Sequence, residues 1–475
     1  MTEFDEIVEQ LSISKEPVFV EAAAGCGKTE AIAQAVKHAS GKQLVLTHTH
    51  AGVAALRSRF RKHNVPESQY RVATIASWLL RYALAYPSMS GFTNPNPTRD
   101  EWGKIYPAVL GLFERPFIKS VLQNSYAGIF IDEYQDCTFL QDQVIKKLCV
   151  FLPVRVLGDP LQGIFNFSND RKVNWQTEVK TFFRQLPPLV EPYRWTKEGN
   201  NSELGDQLKK IRDSLIDGEE INLSEYSQIQ WFPWSDQQEI QVLLNHNADG
   251  HIAGIHAGQP VDIGNGKREH LDRLTGRRTQ GIYQCIEEMD CYDLMKTAHH
   301  FDMALLNQNI NHFKWALREF IQEGVVEGVD GLQKIISRVD EIHSFNEICL
   351  PQFIQDVLAS VVRTLPVYRR ELFVEMDRAA REFSTRRFST FKEASYAARN
   401  KTRLNGRKLE KRIISRTLLI KGLEFDHAIV LNADQMQNAE NFYVAITRGS
   451  KSLTILSAQP TIKFKVPDFM NTHVQ

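Results

Sequence analysis

The 475 residues are 43% hydrophobic and 24% charged, the composition of a globular chain with room for two or three hydrophobic cores. Lysine plus arginine and aspartate plus glutamate each total 57, so the net charge is zero, a balance that on its face argues against a polyanionic partner. Six cysteines without C-x-x-C spacing exclude a disulfide framework or a zinc module. The acidic start Met1-Thr2-Glu3-Phe4-Asp5-Glu6 is no signal peptide, and no apolar run approaches the roughly 20 residues that span a bilayer. A soluble, cytoplasmic protein with no membrane partner is expected.

In chain order, the apolar runs Val18-Phe19-Val20, Leu44-Val45-Leu46, Ile129-Phe130-Ile131 and Val154-Arg155-Val156-Leu157 alternate with helical stretches. Each run ends at polar or glycine residues, the pattern of a parallel α/β sheet with its ligand edge at the strand ends. The turn-rich stretch 87–99 reads as a loop at a small insertion, about 84–118. Residues 261–405 read as mostly helical. Strand patterns return at Thr417-Leu418-Leu419-Ile420, Ala428-Ile429-Val430-Leu431 and Leu453-Thr454-Ile455-Leu456, so the helical stretch reads as an insertion in a second α/β domain. The expected division is 1–188, then 189–260 with 406–475, interrupted by 261–405.

The strongest local signal is Glu21-Ala22-Ala23-Ala24-Gly25-Cys26-Gly27-Lys28-Thr29, directly after a strand and before a helix. Glycines let the backbone curl so that amides of Ala24 to Thr29 face phosphate oxygens at a helix N-terminus. Lys28 then reaches the outer phosphates of ATP, and the Thr29 hydroxyl is placed to ligate Mg²⁺. Cys26 reads as a small filler residue. A glycine turn that merely precedes Lys-Thr is the plain alternative, and the strand–loop–helix setting argues against it. Asp132-Glu133, ending the Ile129–Ile131 run, supplies the acidic partner: Asp132 for the Mg²⁺ shell and Glu133 for the attacking water.

With Asp132-Glu133-Tyr134-Gln135-Asp136 and Gly158-Asp159-Pro160-Leu161-Gln162-Gly163-Ile164-Phe165 added, the chain resembles the UvrD/Rep-like helicases of superfamily 1. Tyr193-Arg194, Lys421-Gly422-Leu423-Glu424-Phe425-Asp426 and Tyr443-Val444-Ala445-Ile446-Thr447-Arg448 continue the series in order. The resemblance implies two RecA-like P-loop domains with parallel sheets, an ATP cleft between them and a helical insertion in the second. It implies Gln162 as γ-phosphate sensor, Arg194 and Arg448 as arginine fingers, Tyr193 and Gln10 at the adenine and Glu424 near the ribose. Thr49 and His50 (in Thr47-His48-Thr49-His50-Ala51), Trp78 (in Thr74-Ile75-Ala76-Ser77-Trp78), Phe165 and Phe167 are the implied contacts to single-stranded or tailed DNA. The implied activity is an ATP-dependent 3′–5′ translocase or helicase.

The chain departs from the family at Phe167-Ser168-Asn169-Asp170, Leu418-Leu419-Ile420 and His50-Ala51. These departures put strand separation more in question than hydrolysis. The alternative is therefore a nucleotide-dependent regulatory subunit that binds DNA ends and hydrolyses ATP without unwinding. The compact layout is also similar to the small helicase-like subunits of the Gabija anti-phage system, whose partner is an ATPase–nuclease; repair and phage defence are the implied settings.

Charge is segregated along the chain. Residues 363–416 carry 16 Lys or Arg against six acids, whereas 203–239 carry nine acids against three bases. In the basic stretch, Phe388, Phe391 and Tyr396 interleave with Arg386, Arg387 and other cations, a pattern suited to a phosphate backbone with stacked bases. A solvated helical face is the plain alternative. His299-His300 and Cys285/Cys291 lack further ligands at metal spacings.

Overall fold

A computed structural model describes residues 2–470 except 96, 98, 166–169, 258–281, 287–290, 310, 319–348, 365–369 and 406–408. The chain forms two compact units: Met1–Glu239 with Ala248–Gln259 and Ile420–Gln475, and Ile240–Asn247 with Pro260–Leu419. No described helix is long and apolar enough to cross a membrane.

The first unit begins with helix α1 (Glu3–Ile13), strand β1 (Val18–Glu21), α2 (Lys28–His38), β2 (Gln43–Thr47) and α3 (His50–Lys62). β3 (Tyr70–Thr74), α4 (Ile75–Ala85), α5 (Arg99–Leu112), α6 (Pro116–Ser125), β4 (Gly128–Ile131), α7 (Phe139–Cys149), β5 (Val154–Gly158) and β6 (Arg184–Gln185) follow. All pairings in this sheet are parallel, in the order β3-β2-β4-β5-β1-β6, with Val45 opposite Phe130 and Phe19 opposite Val156.

Period-two alternation divides the strand residues between two cores. Phe19, Leu44, Leu46, Ile129, Ile131, Val154 and Val156 join Trp78, Phe113 and Ile145 of α4 to α7 on one face. Val18, Val20, Val45, Phe130 and Leu157 join Ile7, Leu11, Ile32, Val36 and Leu56 of α1 to α3 on the other. Each fully buried Val, Leu or Ile contributes roughly 1.5–3 kcal/mol, so both faces are strongly committed. α1 starts at a Thr2–Asp5 capping box, and its buried Ile7, Val8 and Leu11 recur at helical spacing.

In the same unit, α8 (Ser202–Asp217), β7 (Ile221–Asn222), β8 (Ile229–Pro233) and β9 (Ile252–His256) lead to the late strands. β9, β12 (Phe425–Val430), β13 (Gly449–Ser457) and β8 lie in that order, all parallel, and a small β14 (Thr461–Ile462) pairs antiparallel with β7. In the second unit, β10 (Gln284–Cys285) and β11 (Arg412–Arg416) pair in parallel. Its helices at Cys291–His299, Asn311–Arg318, Cys349–Thr364, Arg370–Ser384 and Phe391–Asn405 pack around Leu294, Phe313, Ile354, Leu372, Met376 and Phe391.

The chain is thus mixed α/β with parallel sheets and a helical stretch before β11. Two local expectations need correction. Thr417–Ile420 is a helical turn, and the strand is the preceding Arg412–Arg416. A four-residue apolar run does not separate a strand from a buried turn by periodicity. The stretch 87–99 is not all loop: Pro87–Ser90 is one helical turn with proline at its start and Gly91 left-handed at its end.

Candidate functional site

β1 delivers the phosphate loop at the strand-end edge of the first sheet. Gly25 and Gly27 sit at φ +71° and +83°, the left-handed region that glycine enters without a Cβ penalty. A Cβ on Gly25 would lie 2.4 Å from Trp195 Cζ3, so this position also demands glycine for space. Gly27 is the N-cap of α2, which places Lys28 and Thr29 in its first turn. Lys28 is 8% exposed; its Nζ donates to the Ala22 carbonyl at 3.0 Å and lies 3.9 Å from Glu133 Oε1. Cys26 is buried and its thiol is raised to about 11, first by burial, so it is an unreactive filler.

β4 delivers Asp132 and Glu133. Asp132 is buried, and burial together with the Glu133 charge raises its carboxyl well above the usual range. Glu133 stands at φ +58°, a strained backbone for a non-glycine residue, with its N–H on Asp132 Oδ1 at 3.0 Å. Burial opposes its charge, but Lys28 and Lys421 outweigh that and hold it ionised. Gln135 links the acidic strand end to the next one: Nε2 donates to Glu133 Oε2, and Oε1 accepts from the Asp159 N–H at 3.0 Å.

β5 delivers Asp159 and Gln162. Gln162 Nε2 donates to Asp159 Oδ2 at 2.9 Å, while its Oε1 accepts from Arg448 Nη2 at 3.3 Å. Arg448 is buried, and its guanidinium is lowered to about 10 by burial and then by the neighbouring Arg194 charge. Arg194 donates at 2.5 Å each to the Thr447 carbonyl and to Glu424 Oε1. Its Nε is buried without a hydrogen bond among the described residues. Glu424 is held below the usual carboxylate range, chiefly by Arg194. Tyr193 stacks at 6.4 Å and 24° on Phe4 of α1. Gln10 lies on the same helix, half-buried, its carbonyl accepting from Ser14.

The structure therefore brings Lys28, Asp132, Glu133, Gln162, Arg194 and Arg448 into one linked set. Glycine-shaped backbone, a buried lysine, two strand-end carboxylates and two adjoining guanidiniums, one with an orphaned N–H, fit a polyanionic nucleotide with Mg²⁺. Thr29 and Asp132 are the residues of a type to hold that ion.

The nucleic-acid candidates fare differently. Trp78 is corrected: at 2% exposure it packs on Tyr82 and Phe113 at 4.9 and 5.7 Å inside the first core, with no face for a base. Its place at helical spacing on the buried face of α4, with Ile75 and Leu79, is core packing. Thr49 caps α3, accepting from the Gly52 N–H at 3.0 Å, and His50 is that helix's half-buried first residue. Phe165 is half-buried with the Lys421 ammonium 4.6 Å from its ring centroid, and Phe167 lies outside the described residues. In the second unit Arg386 and Arg387 are exposed between two helices, Arg386 at φ +59°. Much of the surrounding positive charge is paired, as in Arg378–Glu375, Arg381–Asp377 and Lys401–Glu382.

Several supporting residues escape sequence reasoning. Tyr443 Oη accepts from the Ala24 N–H at 3.1 Å, so one amide of the phosphate loop is held from 419 positions away. Arg212 of α8 pairs with fully buried Asp159 at 3.1 Å. His48 Nε2 lies 3.5 Å from Cys137 Sγ, and burial, then Lys421, lower the imidazole to about 3. Phe4 carries no motif. Only Tyr443 and His48 lay within stretches whose spacing drew attention.

A family model described as the UvrD/REP helicase N-terminal domain matches residues 98–182, which include Asp132–Asp136 and Gly158–Phe165. That segment is helicase-like. No curated protein matches the chain. Among solved structures, the chain is similar to arterivirus nonstructural protein 10, a helicase, at 14% identity over 54% of this chain and 49% of that one, with a TM-score of 0.27. It is similar to the Pif1 helicase from Candida albicans at 12% identity over 53% and 55%, TM-score 0.29. A structure of two coordinating Pif1 helicases at forked double-stranded DNA gives 15% identity over 54% and 55%, TM-score 0.28. The alignments span about half the length of each of these chains.

Proposed function

We propose that the chain is an ATP-dependent translocase or helicase of the UvrD/Rep type, acting 3′ to 5′ on single-stranded or tailed DNA. The observation that carries the reading is the linkage Lys28–Glu133–Gln135–Asp159–Gln162–Arg448, with Arg194 beside it. The Arg448 guanidinium is lowered first by burial and then by the Arg194 charge, and a γ-phosphate between the two would give both charge-assisted bonds. Lys28 would exchange the Ala22 carbonyl for phosphate oxygens. Glu133, ionised beside Lys28, would accept a proton from the attacking water, and Gln162 would register the phosphate for Arg448. Tyr193 would stack on the adenine, with Gln10 reading its edge and Glu424 near the ribose. Thr29 and Asp132 would hold Mg²⁺, whose charge would neutralise the outer phosphates. Phe165, Phe167, Thr49 and His50, with Arg386 and Arg387, would meet the DNA.

A second reading is favoured by one observation: the core position of Trp78 removes a stacking surface from the strand path. It makes the chain a nucleotide-dependent, DNA-end-binding subunit that hydrolyses ATP without unwinding, beside an ATPase–nuclease partner in phage defence or repair. ATPase assays with and without oligo-dT, together with strand displacement on 3′- and 5′-tailed duplexes, separate the two. The first reading predicts DNA-stimulated turnover and displacement from 3′ tails. Stimulation without displacement supports the second, and no hydrolysis contradicts both.

A further inference from the structure

The phosphate loop lies where the strands of the first sheet end. A pocket of about 390 Å³ opens at the other edge, where they begin. Lys42 immediately precedes β2, Arg71 is the second residue of β3, and Tyr126 stands two residues before β4. These three strands are neighbours in the sheet. Arg81 and Tyr82 come from the second half of α4, and Tyr86 directly follows it. The volume falls within the roughly 300–1,000 Å³ of small-molecule sites.

Its charge has one sign. Lys42, Arg71 and Arg81 line the pocket without an aspartate or glutamate, and among the described residues none of the three has an ion pair. Other cations of the same unit are matched, as in Arg59–Glu30, Lys146–Asp142 and Arg171–Glu178. Arg71 is half-buried, and its Nε is buried without a hydrogen bond among the described residues. A buried donor in that state is costly until a ligand completes it. Beside the cations, Tyr82 packs on Trp78 and Phe113 at 4.9 and 5.6 Å. Burial raises its hydroxyl to about 12, so it stays protonated and able to donate. Tyr126 is buried and Tyr86 half-buried.

We infer that this pocket is a second nucleotide site, binding a nucleoside polyphosphate through Lys42, Arg71 and Arg81 with its base among the tyrosines. Clustered cations demand an anion, and several convergent charges suit a polyphosphate better than a single carboxylate. Aromatic rings supply stacking that tolerates any base. A free nucleotide fits better than a strand, because Thr49, His50 and Phe165 follow the ends of β2 and β5, at the opposite edge. None of the pocket residues belongs to the linked set around Lys28, so the inference stands apart from the catalytic reading.

The test counts a non-hydrolysable ATP analogue bound to the full chain with Mg²⁺, by equilibrium dialysis. The main variant is Lys42→Gln with Arg81→Gln, both exposed positions, its folding checked by thermal unfolding. Wild type is expected to bind two analogues per chain. The variant is expected to keep one site at wild-type affinity and to weaken the other by at least about tenfold. A single wild-type site that the variant removes also supports the inference, and counts instead against nucleotide at the phosphate loop. A single site that the variant leaves unchanged overturns it, as do two sites of unchanged affinity. Weakened oligo-dT binding in the variant, with analogue binding unaltered, assigns the cations to a strand and likewise overturns it. Should the double variant not fold, Lys42→Glu decides by the same count.

Discussion

At Gly25 two constraints coincide, a left-handed φ and a Cβ position 2.4 Å from Trp195, and each penalises alanine. Gly25→Ala is expected to lower stability by at least about 1 kcal/mol in urea denaturation and to weaken nucleotide binding. Trp78 makes the opposite kind of prediction. Trp78→Ala should cost about 3–5 kcal/mol of stability, while Trp78→Phe should leave DNA affinity unchanged in a filter-binding or anisotropy assay. His48 supplies a pH test. Its folded pKa, about 3, lies below the usual 6.5, so the unfolded chain binds the proton first. Its contribution to stability is therefore full above pH 6.5 and is lost as the pH falls toward 3. Unfolding measured between about pH 6.5 and 5 should show a loss approaching 2 kcal/mol that His48→Leu removes.

Elements differ in how far their residues announce them. β1, β2, β4 and β5 were legible because a strand buried on both faces reads as a continuous apolar run bounded by polar residues. The phosphate loop was legible because its chemistry is local: glycine dihedrals, a lysine and a hydroxyl within one turn. β8 and β9 were not. β8 closes one edge and ends in Pro233, and Ile252-Ala253-Gly254-Ile255-His256 has weak strand propensity, becoming a strand only beside β12. The supports of the site were hidden for the same reason, since Arg212–Asp159 and Tyr443–Ala24 join residues 53 and 419 positions apart. α8 is thereby tied to the site. Arg212→Met should leave Asp159 an uncompensated buried charge and cost about 3–5 kcal/mol in chemical denaturation, whereas Arg212→Lys should cost less.

Over the whole molecule, zero net charge proves uninformative about partners because its components are segregated. The structure narrows the basic stretch further: helix ion pairs absorb Arg378, Arg381 and Lys401, while Arg386 and Arg387 remain exposed in a turn. Charge reversal at both should reduce the slope of log affinity against log salt for single-stranded DNA by at least about 1.4. The central claim, however, is that the linked set around Lys28 and Glu133 hydrolyses ATP. The most direct measurement is steady-state ATP turnover of wild type, Lys28→Ala and Glu133→Gln, each shown to be folded. The account predicts that Glu133→Gln loses about 10²–10⁴-fold in kcat while still binding nucleotide, and that Lys28→Ala loses binding and turnover together. Turnover that survived both substitutions would contradict it.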